Sequence, residues 1–323
     1  MFLGLLLLLI TALISWAGYQ LSMAIKNKMA GPKKWTACLL LLCTASCVLI
    51  TGTTGCYAFW FFGRSQPDSV TDAPLFQGVQ YTRTVRTEPR PLVIHMMDID
   101  LRAPGVSVLM TPPDQESEHD IFAQRTSEYL INRGLQVALN GAFFTPFTSK
   151  SPWDYYPQSG DGVDVRGLAI SNGEIYGQQS AVHTTLYFDE ENRASFNPPE
   201  PGSAFQAISG YPRLLHDGEI ASTIDEGGVG LAPRTALALD ETGSHLILLA
   251  IDGRQPGYSE GVTRLELAEI LRQHGGYNGM NLDGGGSTTL VMERADGSPE
   301  ILNCPMHTRI ACRERPVGNH LGI

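Results

Sequence analysis

The sequence predicts an α+β fold with mixed or antiparallel β-sheets and few helices, preceded by two transmembrane helices. Three observations carry this expectation. The first 67 of the 323 residues contain no Asp or Glu, and two long uncharged apolar runs lie within them. The rest of the chain breaks into short segments of alternating or wholly apolar residues bounded by turn formers, the pattern of strands. Only two stretches there have helical periodicity, and they do not alternate regularly with strands, which argues against a Rossmann-type βαβ architecture.

The elements follow in chain order. Phe2 to Ile25 and Trp35 to Phe62 each exceed the roughly 20 apolar residues a helix needs to cross a bilayer core. Lys26, Lys28, Lys33 and Lys34 lie between or at the edges of the runs with no acid beside them. The positive-inside rule then places that loop in the cytoplasm. Residues 1–63 are therefore expected to form a hairpin in the inner membrane, with the following domain facing the periplasm or the cell exterior. Translation from Met29 would instead give a charged start and an apolar stretch like a secretory signal. Both readings export the domain. Residues 64–90, rich in Pro, Thr, Ser and Gln, read as a linker.

Residues 91–323 are expected to form one domain. Strand-like segments begin at Pro91–Leu101. Asp120–Asn132 reads as a helix with Asp120 as its N-cap, and Thr263–His274 as a second helix, with Thr263 and Glu266 at capping-box spacing. Between them lie LQVALN, RGLAIS, TTLYF, AFQAIS, RTALALD and HLILLAID. GMNLD and TTLVM follow the second helix. The loop Thr145–Val165 carries Phe147, Trp153, Tyr155 and Tyr156, aromatics suited either to stacking on sugar faces or to packing the loop down.

Charge and cysteine usage narrow the function. All 33 acids follow residue 67, against 18 arginines and Lys150 from Arg64 onward. So acidic a domain excludes non-specific nucleic-acid binding, which needs basic surface. Four of the six cysteines (Cys38, Cys43, Cys47, Cys56) fall in the second apolar run. Cys304 and Cys312 are expected to pair as a disulfide in an oxidising compartment. Two cysteines alone do not fill a metal shell, and no metal or cofactor is expected. His183, His216, His245 and His307 show no ligand spacing and read as structural or surface groups.

The segment most suggestive of chemistry is NLDGGGSTTLVM, residues 281–292. Asp283 ends a strand, Gly284, Gly285 and Gly286 follow, and Ser287 and Thr288 lead into the next strand. Three glycines allow close backbone approach, and their N–H groups can form an anion nest. No Lys follows, so this is not a Walker loop. Asn140 and Gly141 end another buried strand. Arg234 precedes a strand, Asp252 ends a very apolar one, and Arg213 begins the segment RLLHDGEI. Each of these, taken alone, suits a turn, a solvated surface or a site.

Taken together, Asn140–Phe144, Gly210–Leu215 with Gly218, Arg234–Ala236, Asp252–Gly253, Leu265–Ala268 and Asn281–Thr288 resemble the phosphodiester glycosidase family. The resemblance runs from about Leu92 to Ile323, and the tail ERPVGNHLGI is similar to the closing segment of bacterial members. Ala142 departs from the pattern, since the family often has a second Gly there. The resemblance implies hydrolysis of a sugar-1-phosphodiester of the N-acetylglucosamine-1-phospho type, on an envelope or exported glycan. Asp283 is the first candidate for catalytic carboxylate, Asp252 the second and Glu266 the third, the last competing with its capping role. Arg234, Gly284, Gly285, Gly286, Ser287 and Thr288 are the candidate phosphate site, with Arg213 and Arg315 as further cations. Asn140 and Gly141 would meet a sugar or phosphate oxygen. Two other functions fit the sequence: a non-catalytic glycan-binding or assembly protein of exopolysaccharide export, and a metal-dependent phosphodiesterase using Asp252 and Asp283.

Overall fold

A computed structural model describes residues 32–114, 118–200, 202–222, 224 and 230–323, with seven further residues between 14 and 23. The chain divides into two compact units, Met1–Arg64 and Ser65–Ile323.

In the first unit, Pro32–Phe62 forms a 31-residue helix. Among the described residues, no helix is long and apolar enough to cross a membrane. This overturns the expectation of two transmembrane helices, and with it the support for an inner-membrane hairpin. Lys33 and Lys34 sit in the first turn, and Thr51, Gly52, Thr53, Thr54 and Gly55 dilute the second half. Thr51 and Thr54 turn their hydroxyls back onto the carbonyls of Cys47 and Ile50, both at 2.6 Å. The first run, Phe2–Ile25, lies largely outside the described residues.

The second unit is mostly β-sheet, which corrects the α+β expectation. Every ladder between its described strands is antiparallel, and its described α-helices are Thr126–Arg133 and Arg264–Gln273. An eight-stranded sheet runs in the order Val70–Phe76, Val79–Arg86, Leu92–Asp100, His245–Ile251, Arg234–Leu239, Asn278–Asn281, Arg213–His216, Glu219–Ile220. Residues 64–90 are thus not a linker: they supply its first two strands. Val79 and Tyr81 point into the core while Gln80 is exposed, an alternation that Pro and Thr content obscured in the sequence.

The sheet's centre is covered on both faces, which explains the unbroken apolar run HLILLAI. Leu246, Leu248 and Ala250 pack with Met97, Ile99, Leu237 and Met280 in one core. Ile247, Leu249 and Ile251 face the other way, onto Leu267, Ala268, Ile270 and Leu271 of the Arg264–Gln273 helix. That helix starts where the sequence expects. Thr263 accepts from Glu266 N at 3.2 Å, and Glu266 Oε2 accepts from Thr263 N at 2.8 Å.

A five-stranded sheet closes the first core, in the order Pro299–Ile301, Leu290–Glu293, Val137–Asn140, His320–Gly322, Leu109–Met110. Its Val137, Leu139, Leu290 and Leu321 meet the large sheet in that core. The other early helix begins later than expected, at Thr126. Asp120 is not its cap: the Asp120 carboxylate accepts from Val165 N at 2.9 Å, tying the chain into an extended segment.

Candidate active site

Central strands of the two sheets deliver the site. Register pairs Arg234 with Ile251 and Ala236 with Asn281. The start of Arg234–Leu239 therefore lies beside the ends of the strands that lead into Asp252 and Asp283. The end of Val137–Asn140 joins them from the second sheet.

Asn140 is the clamp between these ends. It is fully buried. Its Nδ2 donates to the Asp283 carbonyl at 2.6 Å, and its Oδ1 accepts from Thr235 Oγ1 at 2.9 Å and Thr289 N at 3.0 Å. These bonds hold the strands and the Asp283 turn, and they engage both polar atoms of the Asn140 side chain within the protein. Gly141 is a close-approach residue. Its N donates to the Asn319 carbonyl at 2.8 Å, and a Cβ there would overlap the Asn319 side chain.

The turn after Asp283 is a short 3-10 turn, Gly285–Ser287. Its backbone does not form the expected nest. Gly285 N donates to Pro233 O at 2.8 Å and Ser287 N to Gly284 O at 3.2 Å, while Gly284 N bonds the Asp283 carboxylate. Two of the glycines instead make room for cations. A Cβ at Gly284 would meet backbone, 3.0 Å from Pro233 O. One at Gly285 would stand 3.2 Å from Arg254 Nη1, and one at Gly286 would overlap Arg315 Nη2. Gly285 also has φ +62°, a left-handed conformation that glycine adopts freely.

Asp283 is half-buried within this ring. Ser287 Oγ donates to its Oδ2 at 2.6 Å, and Arg315 Nη1 donates to Ser287 Oγ at 3.1 Å. Burial pushes the Asp283 carboxyl above the usual carboxylate range, against the opposing pull of Ser287, Arg315 and Gly284 N–H. The arginines respond in the opposite sense. Arg234 is lowered to about 10 by burial and by the like charges of Arg264 and Arg254. Arg315 is lowered by burial and by Arg254, with Asp283 opposing.

Arg315 is held from behind. Its Nε donates to His307 Nδ1 at 3.2 Å, and its guanidinium lies 4.4 Å from the centre of the Phe147 ring. Accepting at Nδ1 leaves the His307 proton on Nε2. Burial, with Arg315 and Arg313, lowers His307 to about 3, so the ring stays neutral. Tyr155 packs edge-on against it at 4.5 Å, and Arg313 bonds Pro152 O and Tyr155 Oη, fastening the aromatic loop to the segment closed by the Cys304–Cys312 disulfide.

The remaining candidates lie elsewhere. Asp252 is fully buried behind the turn. Its Oδ1 accepts from Cys304 N at 2.8 Å and Asn303 Nδ2 at 3.1 Å, and its Oδ2 faces Tyr258 Oη at 3.2 Å and His95 Nε2 at 3.4 Å. It is a structural hub. Glu266 caps its helix and accepts from Arg90 Nη2 at 2.5 Å. Burial raises its carboxyl, but Arg90 and Thr263 outweigh this and hold it below the usual range. Arg213 turns to Asn278 Oδ1 at 2.7 Å, at the far end of its neighbouring strand. The Thr288 side chain is buried; its carbonyl accepts from Asn303 Nδ2 at 3.0 Å. Among the described residues, no group of three or more His, Cys, Asp and Glu is placed to hold a metal.

Sequence reasoning missed Arg254. Arg254 stands in the segment DGRQPG after Asp252, where its positive φ of 58° was not legible. His307 reads from the sequence as a structural or surface group, and its structural task here is to hold an arginine.

Fold and site define a β-sheet protein with arginines gathered around one half-buried carboxylate. The chain belongs to the phosphodiester glycosidase family, whose model matches residues 133–323. It is 30% identical over 182 residues to N-acetylglucosamine-1-phosphodiester alpha-N-acetylglucosaminidase of Mus musculus, covering 50% of this chain and 32% of that protein. The Bos taurus protein of the same name is 29% identical over 174 residues, with 49% and 31% covered. The chain thus matches about a third of the length of these curated relatives. It also shares its fold with the catalytic domain of the zebrafish protein of that name, solved auto-inhibited by its pro-peptide. The TM-score is 0.56 and the identity 21%, covering 80% of this chain and 86% of that one.

Proposed function

We propose that this protein hydrolyses a sugar-1-phosphodiester, releasing free sugar and a phosphomonoester. The observation that carries the reading is the placement of Asp283 beside three consecutive glycines, of which Gly285 and Gly286 have the guanidinium groups of Arg254 and Arg315 against them. A phosphomonoester has a second pKa near 6, so it departs with little protonation. Glycosidases with alkoxide leaving groups need a strong general acid instead. Here Arg234, Arg254 and Arg315 stabilise the charge that develops on the leaving group. Asp283 acts at the anomeric carbon, as nucleophile or as base for water. Ser287 orients it and carries the influence of Arg315 to it.

The names of the relatives support N-acetylglucosamine as the sugar. The Cys304–Cys312 disulfide supports action in an oxidising compartment, on an envelope or exported glycan. The test is release of reducing sugar from methyl-phospho-N-acetylglucosamine by the full chain. Release by the wild type and its loss in Asp283→Asn is the expected result. Binding of the compound without sugar release would favour a glycan-binding protein and overturn the enzyme reading.

A further inference from the structure

We propose that Trp153 is a specificity-determining residue: its indole is a stacking platform for a sugar ring of the substituent beyond the phosphate, remote from the bond that breaks. The inference rests on the hydrolase reading above and deepens it. It starts from the loop between Phe144 and Gly162, whose aromatics have two different fates. Phe147 lies over the Arg315 guanidinium, 4.4 Å away. Tyr155 packs edge-on against His307, and Tyr156 donates its hydroxyl to Gly162 O at 2.6 Å. These three hold the loop onto the domain. Trp153 does not join them: it is 87% exposed. Tryptophan occurs at positions 16, 35, 60 and 153, so Trp153 is the only one in the second unit.

A single exposed apolar residue is ordinary on a protein surface. The rigidity of its mount sets this one apart. Thr148–Ser149 and Tyr155–Tyr156 pair as a short hairpin, with Trp153 in the turn. Ser151 Oγ accepts from Trp153 N at 3.2 Å and from Asp154 N at 2.9 Å. Asp154 O accepts from Lys150 N at 2.9 Å and from Ser151 N at 3.1 Å. Arg313 donates to Pro152 O at 2.8 Å and to Tyr155 Oη at 3.1 Å. A turn so bonded holds a large apolar ring in water, and a ligand that covers the ring gains apolar contact with little further ordering of the chain. Two arginines tie this hairpin to the site. Glu314 between them turns away, accepting from Ser127 N at 3.0 Å, so Arg313 and Arg315 both face the loop. Arg315 meets Ser287 beside Asp283 and carries Phe147 at the foot of the hairpin, and Arg313 carries its turn. The hairpin thus leads from the arginine beside the carboxylate to the indole.

The occupant follows from the chemistry around the ring. A pyranose has a face of C–H groups and a rim of hydroxyls. The indole offers a flat apolar face. Lys150 and Asp154 are exposed on the same turn, with Nζ and Oδ2 3.9 Å apart, as donor and acceptor for that rim. A bilayer fits less well. The turn sets one large apolar side chain among Ser149, Lys150, Ser151 and Asp154, and the chain from Arg64 onward carries 33 acids against 18 arginines and Lys150. An anionic membrane surface repels such a domain. The foot of the hairpin rests on Arg315, one of the cations assigned to the phosphate, so the ring taken by Trp153 belongs to the group that leaves with the phosphate. That group is a chain of sugars long enough to reach the turn.

Binding and kinetics on the full chain test this. So exposed a ring supports no core packing, so Trp153→Ala probes contact and not folding. Maltotetraose or chitotetraose should change the tryptophan emission of the wild type and leave that of Trp153→Phe unchanged. In calorimetry the same saccharide should bind about tenfold more weakly to Trp153→Ala, with Trp153→Phe in between because it keeps an aromatic face. In kinetics, N-acetylglucosamine-1-phosphate esterified to a 6-hydroxyl of that tetrasaccharide is compared with methyl-phospho-N-acetylglucosamine. Trp153→Ala should raise KM for the first about tenfold relative to the second, with the loss in KM and not in kcat. Unchanged emission with both saccharides and an unchanged KM ratio would overturn the inference and leave the hydrolase reading intact. A blue shift of Trp153 emission on vesicles of phosphatidylcholine and phosphatidylglycerol, with no response to either saccharide, would overturn it in favour of a membrane. Saccharide binding lost in Trp153→Ala, with no sugar released from either substrate, would support the platform and overturn the hydrolase reading.

Discussion

Ser287 Oγ lies 2.6 Å from Asp283 Oδ2 and is the acceptor for Arg315 Nη1 at 3.1 Å. One hydroxyl therefore couples the proposed catalytic carboxylate to a cation. Asp283→Asn should lower kcat/KM by roughly a thousandfold or more, the scale seen when a catalytic group is removed. Ser287→Ala should lower kcat by about tenfold to a hundredfold with little change in KM, because the carboxylate loses orientation but the arginines remain. Activity should require ionised Asp283. Burial raises its pKa, so the acid limb of kcat/KM should lie above the ordinary carboxylate range. A limb at an ordinary carboxylate pKa would show that another group titrates.

The Asp252 carboxylate accepts two hydrogen bonds on one oxygen and faces Tyr258 and His95 on the other, all in the interior. An amide at this position can keep its oxygen on Asn303 Nδ2 and Cys304 N, but its NH2 then replaces the oxygen that Tyr258 Oη and His95 Nε2 face, setting buried donors against each other. Asp252→Asn should cost about 3 kcal/mol of stability. For a domain of this size that lowers Tm by roughly 6–12 °C. A catalytic role without a structural one predicts lost activity at unchanged Tm, and a melting curve separates the two.

These two acids show how far the sequence could be read. Asp252 and Asp283 both end apolar strands, and strand-end position alone does not say which is fully buried and which half-buried. That depends on Asn303 and Cys304, about fifty residues later. The apolar alternation of HLILLAI and the Thr263–Glu266 capping box were legible because they are local. Strands at residues 70–86 were not, since Pro and Thr content is ambiguous until a neighbouring strand supplies the pairing. Three glycines beside an acid were legible as a candidate site, but not that Gly285 and Gly286 leave room for Arg254 and Arg315, or that the Gly285 N–H is taken up by the Pro233 carbonyl. The apolar N-terminal runs were long enough to suggest membrane spans, yet length alone did not weigh the threonines and glycines of Pro32–Phe62.

The Cys304–Cys312 bridge closes a loop of sequence separation 8 that carries His307. Removing it in a Cys304→Ser, Cys312→Ser double variant should cost about 2–3 kcal/mol by loop entropy. It should also raise KM, because His307 then no longer fixes Arg315. Restoring KM with the bridge absent would need another brace on Arg315. An unchanged KM in the double variant would show that the bridge serves stability alone.

His320 gives the stability profile its sign. The ring is fully buried, stacked on Tyr129 at 4.7 Å, with Nδ1 3.1 Å from Thr111 Oγ1. Burial lowers its pKa to about 3, against an ordinary value near 6.5 in the unfolded chain. Between these values the unfolded state binds a proton that the native state does not. Stability therefore rises with pH in this window and is lost as pH falls below about 6.5, approaching about 1.4 kcal/mol per pH unit for one such ring. His307, lowered to about 3, adds a second term of the same sign. Asp283 and Glu314, raised by burial, contribute the opposite slope in the acid range. The quantity to measure is the difference in slope between wild type and His320→Gln by urea denaturation from pH 7 to pH 4. The variant should lose up to about 1.4 kcal/mol per pH unit of the dependence, whatever its absolute stability. Parallel curves would mean that His320 takes up its proton in the folded protein as readily as in the unfolded chain.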